Sequence, residues 1–140
     1  MKQIPVIFWT GTGNTQMMAD AIAAAINAAG AEAVVKNVSE ITADEVAGYA
    51  ALALGCPAMG AEVLEECEFE PFFTELEGKL AGKKVALFGS YGWGGSYMQD
   101  WEARVKDAGA ELVAEGVLAL GAPDDEAMAK LAEAGKLLAE

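Results

Sequence analysis

Hydrophobic residues recur along this chain in two alternating forms. Solid apolar runs at residues 4–9, 49–55, 84–89 and 111–120, with a weaker one at 32–37, predict strands. Runs without polar alternation suit parallel strands buried on both faces. Between them apolar residues return every three or four positions, the spacing of one helix face. Met18, Ile22 and Ile26 form one stripe, and Phe69, Phe72, Phe73, Leu76 and Leu80 a second. Met98, Trp101 and Val105 form a third, and Met128, Leu131, Gly135 and Leu138 a fourth.

The punctuation agrees with these elements. Gly30 stands in the C-cap position of a first helix over 16–29. Thr42-Ala43-Asp44-Glu45 reads as a capping box, with Ile41 and Val46 spaced for a hydrophobic staple, opening a short helix that breaks near Gly48. Pro71 falls in the first turn of its helix, Gly109 stops the next, and Pro123 and Asp124 start the last. Pro5 is the irregularity, tolerable only near the start of its strand or where its nitrogen faces no partner.

Strands and helices alternate five times, without repeats or linkers. This predicts one α/β domain over 1–140, a parallel sheet covered on both faces by right-handed crossovers. Ligands of such sheets bind beyond the carboxyl ends of the strands. Three loops fall there: 10–15, 56–62 and 90–96.

Composition narrows the chemistry. The 140 residues carry 22 acidic against 9 basic side chains, a net charge of −13. Nucleic acid is an unfavourable partner for such a surface. There is no histidine and a single arginine, Arg104, so histidine acid–base catalysis and histidine metal sites are excluded. No apolar run is long enough to span a membrane and no signal-cleavage pattern follows Met1, so a cytoplasmic protein is expected. Cys56 and Cys67 form no CxxC pair and read as reduced thiols, Cys56 as a small buried hydrophobe.

The first loop, Thr10-Gly11-Thr12-Gly13-Asn14-Thr15, is uncharged and rich in hydroxyls. Glycines free backbone N–H groups to face a guest, and the following helix adds its own N–H groups and dipole. Such a loop suits a phosphate. It lacks the lysine of a Walker loop and the third glycine of a dinucleotide fingerprint, so a single phosphate is expected. The alternative is an ordinary turn with Thr12 or Asn14 as helix cap. The second loop offers Met59, Gly60 and Glu62, and the third two glycine-spaced rings, Tyr91 and Trp93. Flanking glycines make these rings a poor core element and a good clamp for a flat aromatic guest. Phosphate at one end and a flat ring at the other suggest a mononucleotide-like cofactor.

With those motifs in view, the sequence resembles the short-chain flavodoxins of anaerobic bacteria, from about Gln3 to the last helix. Thr10–Thr15 matches the family's Ser/Thr-x-Thr-Gly-Asn-Thr phosphate loop. Gly55-Cys56-Pro57-Ala58-Met59-Gly60 and Phe88-Gly89-Ser90-Tyr91-Gly92-Trp93-Gly94 match its two flavin loops. The resemblance implies a flavodoxin-like three-layer sandwich with a five-stranded parallel sheet of order 2-1-3-4-5. That order enters with the resemblance, since flavodoxin is itself the standard example of FMN at this switch point.

It implies roles as well. FMN is the cofactor, its phosphate held by Thr10, Thr12, Asn14 and Thr15 with the backbone of Gly11 and Gly13. Met59 packs on the inner flavin face and Trp93 stacks on the outer. Glu62 accepts from the flavin N3–H, and Pro57 and Ala58 line the ribityl chain. Backbone N–H groups around Ser90, Tyr91, Gly92, Trp93 and Gly94 hold the pyrimidine oxygens. The peptide between Gly60 and Ala61 flips on reduction. The implied protein is a monomeric low-potential one-electron carrier and not an enzyme. Its partners are basic-faced redox proteins, namely reductases and ferredoxin-dependent enzymes, with neither nucleic acid nor membrane. Departures from the family pattern are Pro57 and Ala61, a loop one residue shorter after Trp93, and Gly121-Ala122 before Pro123.

Two rivals are weaker. An FMN-dependent NAD(P)H:quinone oxidoreductase on the same fold needs an open flavin face, which Trp93 would cap. A response-regulator receiver domain needs an acidic acceptor after the third strand and a lysine after the fifth, where Gly55-Cys56 and Gly121-Ala122 stand.

Overall fold

The computed structural model describes residues 2–9, 13–57, 68–91, 96–120 and 122–140, without the side chains of Ser96 and Leu120. The chain runs β1 (Gln3–Phe8), α1 (Asn14–Ala28), β2 (Glu32–Asn37), a 3₁₀ turn (Val38–Glu40), α2 (Ala43–Val46) and β3 (Ala51–Gly55). It continues α3 (Phe69–Glu77), β4 (Lys84–Tyr91), α4 (Ser96–Asp107), β5 (Glu111–Leu112), β6 (Val117–Leu120) and α5 (Asp125–Ala139). The strands form a parallel sheet of order β2-β1-β3-β4-β5, and β6 also pairs with β4.

Side chains of the central strands alternate between two cores. Ile7, Leu52, Leu54, Val85 and Leu87 face the α3 and α4 layer with Phe73 and Trp101. Ile4, Val6, Phe8, Ala51, Ala53, Ala86 and Phe88 face the α1 and α5 layer with Met18, Ile22, Ile26, Leu131 and Leu138. Successive residues over 4–8, 51–54 and 85–88 thus bury apolar groups on one side or the other, which is why these runs lack polar alternation. Each fully buried Ile, Leu or Met contributes about 1.5–3 kcal/mol.

Most predicted elements stand. β2 keeps its bounds, and the Thr42–Glu45 capping box forms in both directions. α1 closes with Ala31 N–H on Ile26 O and Gly30 N–H on Asn27 O, the paired bonds of a helix-ending turn. Pro5 pairs in register with Val34 of β2, while the β3 register starts one residue later, at Val6.

The structure corrects other expectations. α1 begins at Asn14, two residues early, and its N-cap is Gly13, so Asn14 is not the cap. β3 begins at Ala51, because the Tyr49 N–H still closes the α2 turn on Val46 O. Leu80 is buried but lies beyond α3. β4 runs on through Ser90 and Tyr91, which pair with Ala119 and Leu120, so the third loop starts later than expected. The predicted strand over 111–120 is two short strands, because the Gly116 N–H leaves the sheet to bond Glu102 Oε2 of α4. Met128 lies exposed, and Ala127 and Ala134 join Leu131, Gly135 and Leu138 on the buried face of α5.

Candidate functional site

Register brings the strand ends to one edge. Phe8 stands beside Gly55, and Gly55 beside Phe88. The chain therefore leaves β1, β3 and β4 at neighbouring points, and α1 and α4 start from the same edge.

At the first exit, Gly13 has φ of +93°, and its carbonyl receives the Met17 N–H. A side chain there would be strained by the backbone alone. No acidic residue sits in the first turn of α1, so no carboxylate of that turn offsets the positive end of its dipole. Thr15, in that turn, is buried, and its hydroxyl lies 3.3 Å from the Ser90 hydroxyl. Two hydroxyls carry two protons and their mutual bond uses one, so one O–H remains for another acceptor. The pair joins the first exit to the third across 75 residues of sequence.

At the second exit, Cys56 donates its N–H to Phe88 O at 3.1 Å and accepts the Tyr97 hydroxyl on its carbonyl at 2.8 Å. Its side chain is fully buried, as the sequence suggests. Gly89 lies against this carbonyl and hydroxyl so closely that a Cβ would overlap both. Pro57 follows, half-buried. A further link joins Trp9 Nε1 to Glu68 Oε1 at 3.1 Å.

At the third exit, Tyr91 is the last residue of β4, half-buried against the α3/α4 core. To that extent Tyr91 packs as a core aromatic, where its flanking glycines suggested a poor core element. A separate cavity of about 220 Å³, lined by Ala114, Gly116, Lys130 and Glu133 among others, opens at the break between β5 and β6.

Of the expected site residues, Gly13, Asn14, Thr15, Pro57, Ser90 and Tyr91 are described. Thr10, Gly11, Thr12, Ala58, Met59, Gly60, Ala61, Glu62, Gly92, Trp93 and Gly94 lie outside the described residues, as do Cys67 and Gly121. Sequence reasoning missed the Thr15–Ser90 pair, the Tyr97–Cys56 bond and the need for Gly89. Their partners are distant in sequence, so no local pattern announces them.

The family model for flavodoxin matches residues 6–135. This chain belongs to the flavodoxin family. It is 47% identical to a Clostridium beijerinckii flavodoxin over 135 residues, covering 96% of this chain and 97% of that one. It is equally identical to a Megasphaera elsdenii flavodoxin over 116 residues, 82% of this chain and 85% of the other. The solution structure of two-electron reduced Megasphaera elsdenii flavodoxin superposes with a TM-score of 0.90 at 44% identity, covering 97% and 98% of the two chains. Flavodoxins are FMN-binding electron carriers, and redox proteins are their partners.

The described residues fit that cofactor's phosphate. The start of α1 is free of acidic side chains, the Gly13 backbone is turned in a way open to glycine, and Thr15 and Ser90 keep a spare O–H. A dianion meets donors there and no carboxylate from the first turn of the helix. No described helix is long and apolar enough to cross a membrane.

Proposed function

We propose that the chain, acting as one domain, is a low-potential one-electron carrier that holds FMN above β1, β3 and β4. The carrying observation is the acid-free start of α1 set against the buried Thr15–Ser90 hydroxyls, where three parallel strands end. Thr10, Gly11, Thr12, Gly13, Asn14 and Thr15 would hold the phosphate, and Pro57 and Ala58 the ribityl chain. Met59, Gly60, Glu62 and Ser90–Gly94 would hold the ring, with Trp93 over its outer face. FMN supplies one-electron chemistry when bound. The chain binds it, limits water at its ring and sets the field in which charge is added.

That field is strongly negative. One charge about 10 Å away in water opposes an added negative charge by about 0.4 kcal/mol. Several of the net 13 would add about 1–2 kcal/mol before salt screens them, which lowers the potential. With no histidine in the chain, and with Trp93 over the outer flavin face on this reading, the protein would carry electrons without turning over a substrate of its own. It works as a monomer in the cytoplasm and meets partners through their basic faces.

The test is direct. Protein titrated into FMN should quench flavin fluorescence to a one-to-one endpoint and give a flavoprotein visible spectrum. A folded protein that leaves FMN fluorescence unchanged would refute the reading. NAD(P)H added to the loaded protein should not be oxidised, and steady turnover would replace the carrier with a reductase.

A further inference from the structure

Tyr97 is the second residue of α4 and points its ring inward, with 2% of its surface exposed. The ring stacks on Trp101, with centroids 6.5 Å apart and planes at 26°. Its hydroxyl reaches past the ring to the Cys56 carbonyl. Cys56 is the first residue beyond β3, and its own N–H is held by β4 through Phe88. The chain leaving β3 is thus gripped twice, by a strand through the N–H of Cys56 and by a helix through its C=O. Gly89 makes the grip possible, because any side chain there would occupy the place of the hydrogen bond. Burial pushes the Tyr97 phenol well above its ordinary range, so the hydroxyl keeps its proton and remains a donor.

Packing alone would be served as well by phenylalanine. The hydroxyl adds direction, because a buried carbonyl with a fixed donor cannot rotate without losing its bond. We infer that Tyr97 is a positioning residue for the cofactor: through the Cys56 carbonyl it sets the direction in which the chain leaves β3 toward Pro57. The inference rests on the FMN reading and assigns this chain a residue that sets its affinity and potentials from outside the three loops.

The experiment compares wild type, Tyr97→Phe and Trp101→Phe. Trp101 lies in the same helix and packs on Phe69, Phe73 and Tyr97, and its Nε1 has no hydrogen-bond partner among the described residues. Trp101→Phe therefore trims the core while leaving the Tyr97–Cys56 bond in place. Each protein is assayed for FMN dissociation constant, both one-electron midpoint potentials, thermal unfolding, and amide exchange at Cys56 and Gly89 in the FMN-free state. Tyr97→Phe should weaken FMN binding about fivefold, the equivalent of one net hydrogen bond. It should also change the separation of the two potentials and speed exchange at Cys56. Trp101→Phe should lower the melting temperature and leave affinity and potentials unchanged. Wild-type affinity and potentials in Tyr97→Phe would overturn the inference, whatever its melting temperature. Equal shifts in both variants would also overturn it, reducing Tyr97 to a packing residue. Failure of the wild type to bind FMN sinks the functional reading instead, and is distinguishable from FMN uptake with an unaltered Tyr97→Phe protein.

Discussion

Thr15 is the smallest unit in which the fold and the site meet. Its hydroxyl is buried in the first turn of α1, yet its partner Ser90 belongs to β4. Thr15→Val keeps the shape and removes the oxygen, leaving the Ser90 hydroxyl short of that partner. Stability should fall by about 1–3 kcal/mol, the usual cost of a buried polar group deprived of its bond. FMN affinity should fall as well, because one of the two hydroxyls set against the proposed phosphate position is removed and the Ser90 O–H that remains has lost the partner that fixed its direction. Urea unfolding of the FMN-free protein gives the first quantity and fluorescence titration the second. A valine variant with wild-type affinity would remove Thr15 from the phosphate site while leaving its structural role intact. At this scale the sequence showed that position 15 carries a hydroxyl near a helix start. It could not show what that hydroxyl faces, because the answer lies 75 residues away.

Among the elements, α3 and α4 are joined by the chain's single arginine. Arg104 of α4 holds Glu70 through two nitrogens at 2.7 and 2.9 Å and Glu77 at 2.8 and 3.1 Å. Its guanidinium also sits 4.7 Å from the centre of the Phe73 ring. These groups are about one-third exposed, so solvent screens the pair. Two bidentate contacts and a ring contact still make a loss of about 1–2 kcal/mol reasonable for Arg104→Met. The hydrogen bond from Arg104 is the main reason the Glu70 carboxyl titrates below its ordinary value of 4.5. A carboxylate with a depressed folded pKa stabilises the fold above its unfolded pKa, and that contribution is lost as pH falls through the folded value. The stability gap between wild type and Arg104→Met should therefore be widest near neutrality and shrink as the pH falls below the ordinary carboxyl value of 4.5 toward the lowered folded one. Urea midpoints at pH 7 and pH 3 check this, and a gap that widened in acid would contradict the assignment. The elements themselves were mostly legible, since solid runs, stripes and capping boxes are local signals. The missed ones failed for tertiary reasons. The predicted strand at 111–120 is interrupted because Glu102 captures the Gly116 N–H. β4 is longer than predicted because β6 offers partners to Ser90 and Tyr91.

Over the whole molecule, charge is the property that reaches furthest. A net charge of −13 draws a basic partner from a distance, and salt shortens that reach to roughly 8–10 Å at physiological strength. Electron transfer to a basic-faced partner protein should slow steeply as ionic strength rises, as the encounter rate loses its steering. Stopped-flow rates across a salt series test this, and rates independent of salt would assign docking to apolar contact instead.

From its own order of residues the chain declares an alternating α/β architecture, three loops at the strand ends of which two are uncharged and glycine-rich, and a strongly acidic composition. It can do so because strand runs, helix stripes, caps and charge are read over a few neighbouring positions. Which hydroxyls pair, which carbonyl Tyr97 holds and why position 89 must be glycine were decided only when β1, β3 and β4 came side by side. The Gly89–Cys56, Tyr97–Cys56 and Thr15–Ser90 contacts join residues 33, 41 and 75 positions apart. Close packing, not local preference, chooses them.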